Sequence, residues 1–132
     1  MIFVDTNVLM YAVGRDHPLR AEARAFFEAA MERDRGELCT SAEALQELLH
    51  AYVPVGRWET LDAALALAGS CIPTVYPVGA EDVRAARLLA DQHQELGARD
   101  LIHLAVCRRH GVKLVKTFDR ALAAAFRHSR RA

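Results

Sequence analysis

Asp5 follows the apolar run Ile2-Phe3-Val4 directly and precedes Thr6 and Asn7. A carboxylate at the end of a buried strand needs solvent, a partner charge or a metal ion to offset its burial. Glu43 and Glu47 are four residues apart, so a helix would place both on one face. Glu47 also lies among Ala44, Leu45, Leu48 and Leu49, in largely apolar surroundings. Asp100 opens a later helical segment, and Asp119 stands three residues past Lys116, after a fourth apolar run. Taken singly, the aspartates are good helix N-caps and the glutamates solvated helix positions, and capping is the simpler reading of each. Their chemical meaning comes from the set. Carboxylates that converge repel one another and raise each other's pKa. A hard divalent cation such as Mg²⁺ relieves that repulsion and also binds phosphate oxygens. The chemistry implied is phosphodiester hydrolysis, with metal ions activating water and offsetting charge on the attacked phosphate.

Such a set must be positioned by its elements. Ile2-Phe3-Val4 reads as a buried first strand, followed by a short helical stretch over 7–12 that Gly14 ends. Asp16-His17-Pro18 reads as a helix start, with Asp16 as cap, and the helix runs to about Arg33. Leu38-Cys39-Thr40 is a second strand, and Ser41 caps a helix that Pro54 and Gly56 break. A helix from Trp58 to about Ala68 is closed by Gly69. Thr74-Val75-Tyr76, between Pro73 and Pro77, is a third strand suited to a sheet edge. A helix from Ala80 to about Gln94 turns Val83, Ala86, Leu89 and Ala90 inward, and another runs from near Arg99 to before Gly111. Lys113-Leu114-Val115-Lys116 is a fourth strand, and the helix opened by Asp119 dissolves into its Arg-rich end. Strands alternating with helices predict one α/β domain over 1–132, three layers deep, with a central, mainly parallel sheet. In such sheets sites form at the carboxyl ends of the strands.

Composition excludes several classes. The 132 residues suit one domain, and 52% hydrophobic with 26% charged residues is ordinary for a globular protein. Formal net charge is zero, so no chain-wide attraction to nucleic acid is expected. From Arg108 onward, however, eight basic residues face one acid, either a solvated terminus or a polyanion-contacting surface. Cys39, Cys71 and Cys107 are odd in number and widely spaced in apolar sequence, as reduced buried thiols are. With no leader and no apolar stretch of ~18 residues, the expected location is cytoplasmic. His103, one turn after Asp100, reads as a packed helix-face residue beside the site in preference to a ligand, and the other histidines lack zinc-ligand spacing. Trp58 reads as packing a helix onto the domain or lying in a subunit interface.

Asp5-Thr6-Asn7-Val8-Leu9 resembles the opening motif of PIN-domain ribonucleases. Glu47, within the segment 41–49, is similar to that family's glutamate after strand two. Arg99-Asp100-Leu101-Ile102-His103-Leu104-Ala105 and Thr117-Phe118-Asp119 are similar to its third and fourth acidic motifs. The ordered set, with the Asp16-His17-Pro18 helix start, most resembles the VapC-type toxins of toxin–antitoxin pairs. The resemblance implies a PIN-like α/β/α fold with strand one central between strands two and four. The sheet is expected to have four short strands, a fifth being absent or very short because 120–126 reads as helix. It also implies Mg²⁺- or Mn²⁺-dependent endoribonuclease activity on structured RNA such as tRNA or rRNA, a homodimer, and a small antitoxin that enters the active site. By resemblance Asp5, Glu47, Asp100 and Asp119 are catalytic, with Asp5, Asp100 and Asp119 as metal ligands. Thr6 and Asn7 would orient Asp5 or hold a water, Thr117 would position Asp119 or a phosphate, and Glu43 would support the site.

Two other classes compete. A PIN-like module could bind RNA or a protein partner without cutting, although all four acids are present. A phosphoryl-transfer protein of the haloacid dehalogenase type needs a second Asp two residues after the first, where this chain has Asn7, and a receiver domain needs an acidic pair before its phospho-accepting Asp.

Overall fold

Residues 2–4 are short, apolar and covered on both faces, which is the signature of a strand inside a parallel sheet. In the computed structural model, which describes residues 1–33 and 37–131 (the backbone alone for 129–131), they form β1, Ile2–Val4. The other strands are β2 (Leu38–Ser41), β3 (Thr74–Tyr76) and β4 (Leu114–Lys116). All pairings are parallel, in the order β3-β2-β1-β4, with Phe3 opposite both Cys39 and Val115. The first strand is therefore central, the Pro-flanked third strand is an edge, and among the described residues the sheet has no fifth strand.

Among the described residues seven helices accompany the strands: α1 (Thr6–Val13), α2 (Arg20–Glu32), α3 (Ala42–Tyr52), α4 (Trp58–Cys71), α5 (Ala80–Ala90), α6 (Ala98–Arg109) and α7 (Arg120–Arg131). Successive strand residues point to opposite faces, and β1 shows the consequence. Val4 packs with Val8, Leu9, Phe27, Leu48 and Leu61 of the first four helices. Phe3 packs with Leu89, Leu104, Leu122 and Phe126 of the last three. Two cores thus sandwich the sheet, giving the three layers expected. Cys39 and Cys107 are buried, Cys71 is half-buried, and all three are free thiols.

Several boundaries differ from the sequence reading. Pro18 does not open α2, which starts at Arg20, and Asp16 caps nothing; the His17 Nδ1 accepts the Leu19 N–H at 3.1 Å instead. Gly69 does not close α4, which continues to Cys71 with Leu61, Ala64 and Ala68 packed on the core. The fifth helix stops at Ala90, four residues early, and the turn that follows buries His93 and Leu96. Val83, assigned to the inward face, is 53% exposed, because that face is centred instead on Asp82, Ala86 and Leu89. Trp58 is 56% exposed, so it does not pack a helix onto this domain. The last helix persists to Arg131, and the side chains of Arg130 and Arg131, part of the basic run, lie outside the described residues.

Asp82 is a buried acid paired to an arginine. It accepts from Arg109 Nε at 2.7 Å and Nη2 at 2.9 Å, joining α5 to α6, and its Oδ2 also accepts the Gly79 N–H at 2.9 Å. The Arg109 guanidinium holds its carboxyl below the usual carboxylate range. Asp82→Ala is expected to lower Tm by ~5 °C, since one change removes an inter-helix pair and a helix cap. An unchanged Tm in a thermal melt would show that the pair contributes nothing to the stability of α6.

Candidate active site

Three of the four acids arrive at the carboxyl edge of the sheet directly. Asp5 is the residue after β1, Glu47 sits in the helix that leaves β2, and Asp119 follows β4 by three residues. Asp100 comes from a different direction, as the third residue of α6, whose start Gly97 caps. The cap and site readings prove compatible. Asp5 Oδ1 accepts from the Thr6 N–H at 2.8 Å at the start of α1, and Asp119 Oδ1 caps α7 through the Leu122 N–H at 3.0 Å.

All four carboxylates line one cavity of about 450 Å³, together with Asn7 and Arg99. Possible ligand atoms of Asp5, Asp100 and His103 lie within 4.8 Å of one another, the tightest such group among the described residues. Glu47 and Asp119 line the same cavity outside that group.

Asp5 is 4% exposed and held from two sides. The Thr117 hydroxyl donates to its Oδ2 at 2.6 Å while accepting from the Asn7 amide at 3.4 Å and the Asp119 N–H at 3.0 Å. One donor and two acceptors are all a hydroxyl has, so Thr117 is saturated and its orientation fixed. Asn7 Oδ1 in turn accepts the Phe118 N–H at 3.3 Å. Thr117 and Asn7 therefore form a lattice that orients Asp5, whereas the Thr6 hydroxyl turns away to the Ala44 carbonyl at 3.2 Å. Glu43 stands at the rim, 3.9 Å from Arg99 Nε.

His103 is fully buried, its ring centroid 5.1 Å from that of Phe3. Its Nε2 meets Glu47 Oε1 at 2.7 Å and lies 3.8 Å from Asp5 Oδ1, while Nδ1 meets Ser41 Oγ at 3.3 Å. Burial alone would lower its pKa, but the hydrogen bond to Glu47 and the charges of Asp5 and Asp100 reverse this and raise it. Both ring nitrogens are engaged, so His103 serves as a buried counter-charge that orients Glu47, not as a free ligand. Sequence reasoning placed it beside the site but missed this tie; the only available signal was its i+3 spacing from Asp100. The rim pairing of Arg99 was likewise not foreseen.

The electrostatics follow first from burial and then from the neighbouring charges. Burial pushes the Asp100 carboxyl up to about 6; Asp5 adds to the rise, His103 opposes it, and Asp119 and Glu47 add further. Burial also raises Asp5, against the opposing pull of His103 and the Thr117 hydrogen bond. A pocket in which Asp5 and Asp100 hold protons above their usual range is a pocket short of positive charge. Its four carboxylates offer oxygen donors, the type hard divalent cations prefer, while the His103 nitrogen among them is tied to Glu47. The site thus fits a hard divalent cation.

The family profile of the PIN domain matches residues 2–126. Ribonuclease VapC23 of Mycobacterium tuberculosis is 61% identical over 127 residues, 96% of this chain and 99% of that protein. Ribonuclease VapC13 of the same organism is 38% identical over 120 residues, 91% of each. The crystal structure of Mycobacterium tuberculosis VapC20, described as a Sarcin-Ricin loop cleaving toxin, covers 95% of each chain with a TM-score of 0.73. At 23% identity, that last likeness speaks for the fold alone.

Proposed function

Because the chain belongs to the PIN-domain family, among its VapC-type ribonucleases, we propose that it is a divalent-metal-dependent endoribonuclease and the toxin of a toxin–antitoxin pair. The observation that carries the metal-dependent reading is the convergence of Asp5, Glu47, Asp100 and Asp119 on one cavity at the carboxyl edge of the sheet.

Asp5, Asp100 and Asp119 are the residues that would hold Mg²⁺ or Mn²⁺. Bound there, the ion supplies Lewis-acid polarisation of the phosphate and a more acidic water. The chain's own residues do the rest. Thr117 and Asn7 keep Asp5 in one orientation, so little reorganisation is needed when substrate arrives. Glu47, steadied by His103, is placed to accept a proton from a water in the cavity. Arg99, 42% exposed at the rim, meets a substrate phosphate, and Glu43 holds it there. The partners that follow are structured RNA, tRNA or rRNA, as substrate, a small cognate antitoxin, and a second copy of the chain. No helix among the described residues is long and apolar enough to cross a membrane, in keeping with the cytoplasmic location proposed here.

The test is cleavage of structured RNA by the purified protein in millimolar Mg²⁺ or Mn²⁺. Cleavage should vanish in EDTA and return with added metal. Metal binding absent by calorimetry at millimolar concentration would instead favour a module that binds RNA or protein without cutting. Thr117→Val, nearly the same size but without the hydroxyl, should reduce metal affinity or cleavage by ~10–100-fold, the usual effect of removing a partner that orients a ligand. Full activity would mean that Asp5 needs no such support.

A further inference from the structure

We infer that the cleft beside the acidic cavity is a nucleotide subsite, in which His17 stacks on a base neighbouring the scissile phosphate and Arg57 meets its backbone; this rests on the ribonuclease reading above. The cleft has a volume of about 310 Å³ and shares Asn7 and Met10 with the acidic cavity, so the two form one continuous surface. Its walls carry Tyr11, Arg15, Asp16, His17, Tyr52 and Arg57.

The chemistry of the two halves is complementary. The acidic cavity repels a polyanion unless a cation sits in it. The adjoining cleft has two guanidinium groups against the one carboxylate of Asp16, so an RNA chain leaving the cavity meets attraction there. The cleft also offers ring faces. His17 is exposed and lies against Tyr11, ring centroids 4.5 Å apart and tilted by 34°. Tyr11 meets Phe118 edge-on at 5.5 Å, and Phe118 is the residue whose N–H binds Asn7, so the platform is tied to the lattice around Asp5.

The His17 ring is fixed before any ligand arrives. Its Nδ1 accepts the Leu19 N–H at 3.1 Å. Arg57 is half-buried, with its guanidinium carbon 5.5 Å from the Tyr52 ring centre. A stacked base and a charge-paired phosphate are the two ordinary components of single-stranded nucleic-acid binding. The Asp16-His17-Pro18 segment, which caps no helix, thereby acquires a use.

The test separates binding from cleavage. In an Asp5→Asn background, binding of a fluorescein-labelled stem-loop RNA is followed by anisotropy across a salt series. His17→Ala is expected to weaken Kd about ten-fold and His17→Phe to keep most of the affinity, because stacking needs a ring face. Arg57→Gln should lower the slope of log Kd against log salt by about one, the mark of one lost phosphate contact. Unchanged Kd in His17→Ala together with an unchanged slope in Arg57→Gln would overturn the subsite. So would the absence of RNA binding by the Asp5→Asn protein. Failure of the wild type to cleave RNA while these binding effects persist would overturn the nuclease reading and leave the subsite standing.

Discussion

Asp5→Asn is expected to abolish RNA cleavage, with a loss greater than the ~10–100-fold that follows removal of a partner merely orienting a ligand. The substitution keeps the size of the side chain and an oxygen for the Thr6 N–H, so α1 keeps its cap. It removes half a unit of negative charge from each oxygen at the place where the cavity is most buried. Asp5 and Asp100 then no longer form a pair of anions around a common point, and neither charge stabilisation nor water activation survives there. Turnover of a structured RNA under saturating Mg²⁺ gives the answer, with circular dichroism to show that the variant is folded. Full cleavage by a folded Asp5→Asn protein would remove the mechanism proposed here.

The second large effect concerns stability. The Asp100 carboxyl is raised from 3.8 to about 6 in the folded protein. Below the lower value it is protonated in both folded and unfolded chains and contributes no difference. Between the two, the folded state binds more protons, so stability falls as pH rises. Two units correspond to ~3 kcal/mol at most, and side-chain relaxation and solvent in an open cavity reduce this to about 1–2 kcal/mol. Asp5 is shifted in the same direction. His103, raised above 6.5, contributes stability that is present below that value and is lost as pH climbs through its folded pKa. In EDTA, the wild type should therefore lose stability relative to Asp100→Asn between pH 4 and 6, read as the difference in urea midpoints. Millimolar Mg²⁺ should stabilise the wild type at pH 7 and less so at pH 4.5, where a proton already occupies Asp100. A difference that stays flat from pH 4 to 7 would mean that the Asp100 carboxyl is not raised in the folded protein.

Much of this site was legible because its residues announce themselves by type. Asp5 and Asp119 lie next to strands too short to misplace, and strand order in a parallel sheet brings their ends together. Asp100 was harder. It follows no strand, and only the packing of α6 against its neighbours brings its first turn to the same edge. The aromatic boundary at residues 16–19 was misread for a related reason. Asp16 before Pro18 is a good local cap signal, yet α2 starts only at Arg20 with no side-chain cap, and the His17 ring accepts the Leu19 N–H. Gly69 inside α4 shows the reverse, a local breaker overruled by the packing of Leu61, Ala64 and Ala68 on the core. The saturation of Thr117 and the Glu47–His103 bond depend on ångström-scale approach between residues 56 to 112 positions apart, which no pattern in a single sequence reveals.

That last separation has a consequence for biosynthesis. The hydroxyl that fixes Asp5 comes from residue 117, and the strand that flanks β1 on one side begins only at Leu114. A nascent chain that has emerged as far as residue 110 already carries Asp5, Glu47 and Asp100, but neither β4 nor Thr117. Its central strand has an open edge, and Asp5 lacks its clamp. Pairings of such long range are late events in folding. The site around Asp5 is thus completed only once residues 114–117 have joined the sheet, so a chain shorter than that carries three of the four acids without the clamp that orients the first.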